Sequence, residues 1–214
     1  MNRELDSLLV AGLEAMGLNV AAADRQRLLA FLDLLAEWNG AYNLTAVRNP
    51  RDMVPRHLLD SLTVLPWLRG ARIVDVGSGA GLPGIPLAIA DAGRRYVLVE
   101  SNGKKVRFLR QAVLCLGLSH VEILHGRAEA AVLACPADTV VARAVTDLAQ
   151  LCAYARHLGG PEMRLVAMKG PDVETELTGI PADFALQEVV SVTVPGLDAG
   201  RRLAVLQRAR EPSA

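Results

Sequence analysis

The chain has 214 residues, of which 51% are hydrophobic and 21% are charged, and its 23 basic and 23 acidic side chains give a formal net charge of zero. A chain of this length and composition can bury a large core, which excludes an intrinsically disordered protein and a small disulfide scaffold. The zero net charge argues against a protein that coats nucleic acid non-specifically. The longest uncharged stretch, residues 76–90, is glycine- and proline-rich and too short to span a bilayer. Because the charged first residues are also unlike a signal peptide, we expect a soluble, cytoplasmic protein.

The three cysteines, Cys115, Cys135 and Cys152, have no spacing typical of a metal site or a redox motif. We therefore expect them to be reduced and buried as small hydrophobic residues. No metal site is predicted.

The first 70 residues are predicted to be helical. Apolar residues at helical spacing indicate one helix that ends at Gly17 and a second that starts near Asp24. A third helix is predicted over residues 52–65. Pro55 is expected in its first turn, because a proline deeper in a helix breaks the hydrogen-bond ladder. We treat residues 1–70 as an N-terminal helical module that caps the substrate side of the following domain.

From residue 71 onward, short β-branched runs alternate with helical patterns. Strands are predicted at residues 72–76, 96–99, 121–124, 139–142, 164–168, 188–193 and 203–207. Helices are predicted at residues 83–90, 104–116, 127–133, 148–158 and 173–177. This alternation predicts an α/β domain over residues 71–214, with a mostly parallel, Rossmann-like sheet covered on both faces. The last two strands have no helix between them, so they should form an antiparallel hairpin at one edge.

A glycine-rich loop, Asp75-Val-Gly-Ser-Gly-Ala-Gly-Leu-Pro-Gly84, follows the first strand and leads into a helix. Glycines allow a tight turn and a close approach of the backbone to a ligand, and a helix N-terminus favours a negative ligand group. Glu100 ends the second strand, where an acidic side chain reaches ribose hydroxyls in doubly wound folds. A ligand-free turn is the alternative, but three alternating glycines followed by Glu100 favour a nucleotide cofactor.

Two cofactors fit this loop. The segment from Gly79 to Gly84 satisfies the G-x-G-x-x-G pattern of dinucleotide-binding proteins, but it starts two residues later than the strand requires. The alternative pattern, D-x-G-x-G-x-G from Asp75 to Gly81, is typical of S-adenosylmethionine enzymes. In that pattern the carboxylate lies near the amino-acid portion of the cofactor. The terminal antiparallel hairpin also favours the class I methyltransferase form of the fold.

The sequence resembles the RsmG (GidB) family, the guanine-N7 methyltransferases of small-subunit (16S) ribosomal RNA. The resemblance covers nearly the whole chain. The segments that carry it are Trp38-Asn39, Tyr42-Asn-Leu-Thr45, Arg56-His-Leu-Leu-Asp-Ser61, Asp75 to Pro86, Glu100-Ser101, Lys104-Lys105, Phe108-Leu109, Arg127-Ala-Glu129, Arg143-Ala144, Lys169-Gly170, and Val194-Pro195 with Leu203. Pro55 departs from the family pattern at what resembles an aliphatic position, and we expect it to shift the start of a helix.

The resemblance implies S-adenosylmethionine as cofactor and small-subunit ribosomal RNA or a ribosomal particle as partner. The short uncharged stretch described above predicts no membrane association. We also expect a monomer. Implied cofactor contacts are Gly77, Leu82, Ala128, Glu129 and Arg143. The loop and the second strand add Asp75, Ser78, Gly79, Glu100 and Ser101 as candidates.

Arg143 and Lys169 follow the fourth and fifth strands, so both should reach the carboxyl edge of the sheet, where ligands bind. They are the candidate catalytic residues. Guanine N7 carries a lone pair and no proton, so no general base is required. We expect either cation to contact guanine O6, a phosphate or the cofactor, because a contact with N7 would block the nucleophile. Candidate substrate contacts are Asn43, Arg56, His57 and Lys169, although a lone histidine on an amphipathic helix is more often structural.

Three alternatives remain open on the residues alone. They are a small-molecule methyltransferase whose N-terminal helices act as a lid, an NAD-dependent oxidoreductase that uses the offset G-x-G-x-x-G pattern, and a non-catalytic regulatory module that binds S-adenosylmethionine.

Overall fold

The computed structural model describes residues 2–143 and 146–209, so Ala144 of the motif quoted above lies outside the described residues. A seven-stranded sheet occupies the centre of this part of the chain. Its strands are β1 (Arg72–Val76), β2 (Arg95–Glu100), β3 (Val121–His125), β4 (Ala137–Arg143), β5 (Gly159–Lys169), β6 (Phe184–Val192) and β7 (Arg201–Arg208). Their spatial order is β3-β2-β1-β4-β5-β7-β6. The first five strands are parallel, and β7 is antiparallel to both β5 and β6, which confirms the predicted sheet and its terminal hairpin.

Helices precede the sheet and connect its strands. They are α1 (Asn2–Ala15), α2 (Ala22–Tyr42), α3 (Pro50–Met53), α4 (Asp60–Leu62), α5 (Gly84–Ala90), α6 (Gly103–Cys115) and α7 (Leu148–Leu158). A π-helical segment, Val54–Leu59, joins α3 to α4. Short 3₁₀ turns occupy Leu65–Trp67, Ala128–Ala130 and Val173–Gly179.

Each face of the sheet has its own hydrophobic core. One core joins α1, α2, α5 and α6 to sheet residues such as Ile73 and Leu98. In that core the ring of Phe108 on α6 lies 6.2 Å from Phe31 and 5.8 Å from Trp38, both on α2. Each buried phenylalanine contributes about 1.5–3 kcal/mol. The other core packs α7 against the opposite face of the sheet. The N-terminal helices are thus fixed to the sheet by apolar contacts.

The prediction for Pro55 is wrong. Pro50 lies in the first turn of α3, where the side chain of Asn49 accepts a hydrogen bond from the N–H of Arg51 at 3.0 Å. Pro55 lies further in, within the π-helical segment. A proline has no N–H to donate and its ring crowds the carbonyl four residues earlier, so a regular α-helix is disfavoured at this point. The widened turn lets the N–H of Asp60 donate to the carbonyl of Pro55 five residues earlier.

Other differences concern short elements and the cysteines. The helices predicted at residues 127–133 and 173–177 are 3₁₀ turns. Cys152 is buried on α7 as predicted, but the prediction is wrong for Cys115 and Cys135, which are exposed. Cys115 is the last residue of α6, where the amphipathic helix turns it away from the core.

No helix in the described ranges combines the length and the hydrophobicity that are needed to cross a bilayer. Within the same ranges, no three His, Cys, Asp or Glu side chains are grouped so that they could hold a metal ion.

Candidate functional site

The glycine loop lies at the carboxyl end of β1, as its sequence predicts. Gly77, Gly79 and Gly81 have φ values of +67°, +58° and +84°, a region that other residues adopt only with strain. The N–H groups of Gly77 and Ser78 donate to the carbonyl of Val99 on β2, at 2.9 and 3.1 Å. These bonds bring the loop against the end of the neighbouring strand.

Asp75 is the buried anchor of this loop. Its side chain accepts a hydrogen bond from the N–H of Gly84 at 2.9 Å, and its carbonyl accepts one from the hydroxyl of Ser78 at 2.9 Å. The second carboxylate oxygen is buried and has no protein partner among the described residues. Burial raises the pKa of Asp75 to about 7, although the Gly84 N–H and the charge of Arg143 act in the opposite direction. A buried carboxylate with a free oxygen is suited to a ligand that carries positive charge.

Glu100 closes the loop from the adjacent strand. One of its carboxylate oxygens accepts the N–H of Gly79 at 2.8 Å, and the other accepts the N–H of Asn102 at 2.7 Å. Each oxygen retains a lone pair for a further donor. The acidic residue predicted from its spacing therefore lies beside the loop and is held by backbone amides.

A cavity of about 530 Å³ opens above the loop, at the carboxyl edge of the sheet. It lies at the edge where β1 and β4 meet, and ligands of open α/β sheets bind at this edge. Its lining includes the predicted residues Gly77, Ser78, Gly79, Leu82, Arg143 and Lys169, and also Leu44, Thr45, Asp60, Lys105 and Arg201. A larger cavity, about 810 Å³, lies among the starts of β4 and β5 and contains no part of the glycine loop. The smaller cavity is therefore the candidate site.

Arg143 is held in this cavity by the N-terminal module. Its guanidinium donates to the Asp60 carboxylate at 3.2 Å and to the carbonyl of Arg56 at 3.1 Å. Asp60, 3% exposed, also accepts a hydrogen bond from Arg201 at 2.9 Å. One buried carboxylate thus connects α4, β4 and β7 at the wall of the cavity.

Lys169 reaches the same edge from the end of β5, but its ammonium group already has partners. It donates to the carbonyl of Thr146 at 2.5 Å and to Glu176 at 2.6 Å. Glu176 also accepts the N–H of Leu148 at the start of α7. Lys169 therefore lines the cavity and at the same time fixes the loop that follows β4.

His57 is buried in the π-helical segment. Its Nε2 lies 3.0 Å from the hydroxyl of Thr45, and its Nδ1 is buried without a partner among the described residues. Burial lowers the pKa of His57 to about 4, so the ring is neutral at pH 7. The N–H of Thr45 donates in turn to the side chain of Asn39 at 2.9 Å. This network holds the 43–47 segment against the cavity.

Asn43 and Arg56 lie near the cavity on exposed positions. Asn43 ends α2 in the left-handed conformation, with φ of +51°, and its side chain accepts a hydrogen bond from Arg48 at 3.4 Å. Arg56 holds Arg143 through its backbone carbonyl, and its guanidinium forms no hydrogen bond or ion pair with the residues that the structure describes.

Three further candidates lie at the ends of β2 and β3. Ser101 is exposed, and its carbonyl lies 3.2 Å from Nε2 of His125. Ala128 and Glu129 form a 3₁₀ turn after β3, and Glu129 is exposed, with an oxygen 3.8 Å from Arg127. None of these three residues lines the cavity described above, although they share its edge of the sheet.

Asp60, Lys105 and Arg201 line the cavity but were not predicted from the sequence as site residues. Asp60 is part of the R-H-L-L-D-S motif, so a signal was present, but the motif does not show what its carboxylate contacts. Arg201 is separated from Asp60 by 141 residues in the chain, and no local pattern reports such a pair.

The sheet order, the glycine loop at its carboxyl edge and the antiparallel end define a class I methyltransferase fold. Solved structures of other proteins show the same fold. A Bacillus subtilis tRNA methyltransferase, TrmK, aligns with a TM-score of 0.57 and 17% identity over 71% of this chain and 66% of that one. TrmN from Thermus thermophilus aligns with a TM-score of 0.55 and 21% identity over 78% of this chain and 52% of that one.

Sequence comparison identifies the family. The model of the GidB family, described as rRNA small subunit methyltransferase G, matches residues 24–205. A ribosomal RNA small subunit methyltransferase G from Pseudomonas syringae pv. syringae is 46% identical over 200 residues, which are 94% of each chain. Its counterpart from Marinobacter nauticus is 48% identical over 198 residues, which are 92% of each chain. The chain belongs to the rRNA small subunit methyltransferase G family.

Proposed function

We propose that this protein transfers a methyl group from S-adenosylmethionine to N7 of a guanine in small-subunit (16S) ribosomal RNA. The observation that carries the proposal is the cavity lined by the glycine loop, in a member of this family. Asp75 does not line the cavity itself, but it anchors the loop and has a buried oxygen without a partner among the described residues.

The residues present fit this cofactor. The positive-φ glycines Gly77 and Gly79 expose backbone rather than side chains to the cavity. Asp75, which anchors the loop, has a buried oxygen that no described residue contacts. Gly77, Ser78, Gly79 and Leu82 would form the wall against the cofactor, and Glu100 would accept from its ribose hydroxyls. Ser101, Ala128 and Glu129 are proposed to flank its adenine, because they follow β2 and β3.

Methyl transfer requires the protein to orient the reactants and to exclude water. When bound, S-adenosylmethionine supplies a methyl carbon attached to a positively charged sulfur. Guanine N7 has a lone pair in the ring plane and no proton to lose, so the protein need not supply a base. Its contribution is to hold N7 in line with that carbon at roughly 3–3.5 Å.

Arg143 and Lys169 are proposed to position the reactants. Arg143, held by Asp60, can donate to guanine O6, a phosphate or the cofactor. A guanidinium fork on N7 itself would occupy the lone pair that reacts, so we exclude that contact. Lys169, which follows the register partner of Arg143 on the neighbouring strand, acts on the substrate directly, or indirectly by holding the loop after β4.

Residues 1–70 are proposed to act as the substrate-side cap of the catalytic domain, residues 71–214. Support comes from Leu44, Thr45 and Asp60, which line the cavity beside the glycine loop. Asn43 and Arg56 would contact RNA at the rim. Since His57 is buried and neutral, we propose that it acts on the substrate through Thr45 rather than as a charged RNA ligand.

The proposed partner is ribosomal RNA or a ribosomal particle, and the proposed setting is the cytoplasm. We further propose that the protein acts as a monomer. Analytical ultracentrifugation at assay concentrations would test this, and a dimer would overturn it.

The function is tested by incubating the protein with methyl-labelled S-adenosylmethionine in three parallel reactions. These contain small ribosomal subunits, purified small-subunit RNA and a metabolite extract. We expect label on RNA that digests to 7-methylguanosine. Label only in small molecules would identify a small-molecule methyltransferase, and binding without transfer would identify a regulatory module. Either result would overturn the proposal.

A further inference from the structure

The charged side chains of helix α6 are all positive, although the whole protein has zero net charge. Within Gly103–Cys115 it carries the cations Lys104, Lys105, Arg107 and Arg110 and no acidic residue. Ordinary solvated helices mix the two signs, because neighbouring like charges repel. A helix whose charges are all of one sign therefore requires an explanation.

Three of these cations form a stripe on the outer face of the helix. Lys104, Arg107 and Arg110 are exposed, and their spacing of three residues places them in one row, about 4.5 Å apart along the axis. The opposite face is buried in the core through Val106, Phe108, Leu109 and Ala112. We refer to Lys104, Arg107 and Arg110 as the α6 stripe.

The α6 stripe is not neutralised by the protein. None of its three cations forms an ion pair with any residue in the ranges 2–143 and 146–209. Some cations on other elements have carboxylate partners, such as Arg25 with Asp6 and Arg156 with Asp183. The stripe therefore leaves positive charge available to an external anion.

The stripe begins at the candidate site. α6 starts directly after β2, and the side chain of Asn102 caps it by accepting the N–H groups of Lys104 and Lys105 at 2.9 and 3.3 Å. Lys105 lines the cavity, where a methyl group built on Gly79 would lie 3.9 Å from its Nζ. From this point Lys104, Arg107 and Arg110 lead away from the cavity along the outside of the molecule.

We propose that the α6 stripe binds backbone phosphates of the ribosomal RNA that flanks the target nucleotide. This inference rests on the proposed function, because a nucleotide in the cavity brings its neighbouring phosphates to the cavity rim. The stripe carries no aromatic side chain on which a base could stack, so its contacts are electrostatic and independent of sequence. It holds the RNA in place while the cavity selects the base.

The test compares Arg107→Gln/Arg110→Gln with the matched control Arg72→Gln/Arg95→Gln. The control removes the same charge from exposed arginines at the starts of β1 and β2, the opposite edge of the sheet. Binding to unmodified small-subunit RNA is measured from about 50 to 200 mM salt. Steady-state methylation and calorimetric binding of S-adenosylhomocysteine are measured on the same preparations.

For the stripe variant we expect the slope of log affinity against log salt to fall by about 1.4–1.8, the value for two lost phosphate contacts. We expect its KM for RNA to rise on the order of tenfold, with kcat and S-adenosylhomocysteine affinity unchanged. The control should behave as wild type. An unchanged slope in the stripe variant, or an equal loss in the control, overturns this inference. If wild-type protein does not methylate the RNA at all, the proposed function fails instead.

Discussion

At the scale of single residues, Asp75 has the most unusual environment in the site. The residue is 1% exposed, and burial raises the pKa of its carboxyl to about 7. Because the pKa in the folded state lies above the ordinary value, the folded protein holds this proton more tightly than the unfolded chain does. Asp75 therefore favours folding at low pH, and that contribution is lost as pH rises through 7.

The first prediction concerns Asp75→Asn, which keeps an acceptor for the Gly84 N–H but cannot ionise. In the absence of cofactor, the free energy of unfolding of this variant relative to wild type should increase by on the order of 2 kcal/mol from pH 5 to pH 8. His57 titrates with the opposite sign in the acidic part of this window, but it is present in both proteins and cancels. Urea unfolding at both pH values measures the difference. A difference that does not depend on pH would show that Asp75 is ionised throughout.

A residue of the site could be predicted from the sequence when its partners lie close to it along the chain, and not when they lie far away. The roles of the glycines and Glu100 rest on local order, namely a strand, a turn and the start of the next helix. The positive φ angles and the Glu100 contacts agree with that order. The Asp60–Arg201 contact could not be predicted, because it forms only when the last strand folds beside β5.

At the scale of elements, Asp60 is the point where the N-terminal module, β4 and β7 meet. Its side chain is 3% exposed, whereas the paired side chains of Arg143 and Arg201 are 24% and 29% exposed. Removing a buried partner leaves the remaining charges poorly compensated, although solvent reduces that cost for half-buried arginines.

The second prediction is that Asp60→Ala lowers the free energy of unfolding by about 1–3 kcal/mol. The control is Asp183→Ala, which breaks an ion pair to Arg156 that is about 40% exposed on both sides and should cost less than about 1 kcal/mol. Chemical denaturation of both variants measures these losses in the free energy of unfolding. Equal losses in the two proteins would show that the Asp60 contacts do not couple the elements.

The sequence predicts element boundaries well where a periodic segment is long, and poorly where the backbone geometry is irregular. The predicted α7, residues 148–158, agrees with Leu148–Leu158, because five buried residues keep its helical spacing. The third helix starts at Pro50 rather than at residue 52, and it continues through Pro55 by widening. Apolar spacing alone does not distinguish a π-helical turn from an α-helix, nor a 3₁₀ turn from a short helix.

At the scale of the whole molecule, charge and composition restrict the kind of RNA that the protein can use. With zero net charge and only 4% aromatic residues, it has few groups for binding unstructured single strands by stacking. The deep major groove of A-form RNA also hides guanine N7, so the target base must lie in a loop or leave its stack.

The third prediction is therefore that folded small-subunit RNA, or the ribosomal particle, is methylated with a much higher kcat/KM than a short oligonucleotide of the same target sequence. The loss should be mainly in KM, because the oligonucleotide has fewer phosphates to contact. Single-turnover rates at saturating RNA serve as the control for the chemical step. Equal kcat/KM for the two RNAs would contradict this prediction.

Calorimetry with S-adenosylhomocysteine tests most directly whether the methyl donor binds at the glycine loop. Gly79→Ala places a methyl group at the cavity near Lys105, whereas the matched control Gly117→Ala meets nothing within 4 Å. Both positions have positive φ, +58° and +66°, so both variants should lose about 1 kcal/mol of stability from backbone strain. We predict one binding site in wild type and in Gly117→Ala, and affinity weakened about tenfold or more in Gly79→Ala. No heat of binding with wild-type protein, or equal affinity in all three proteins, would contradict the account.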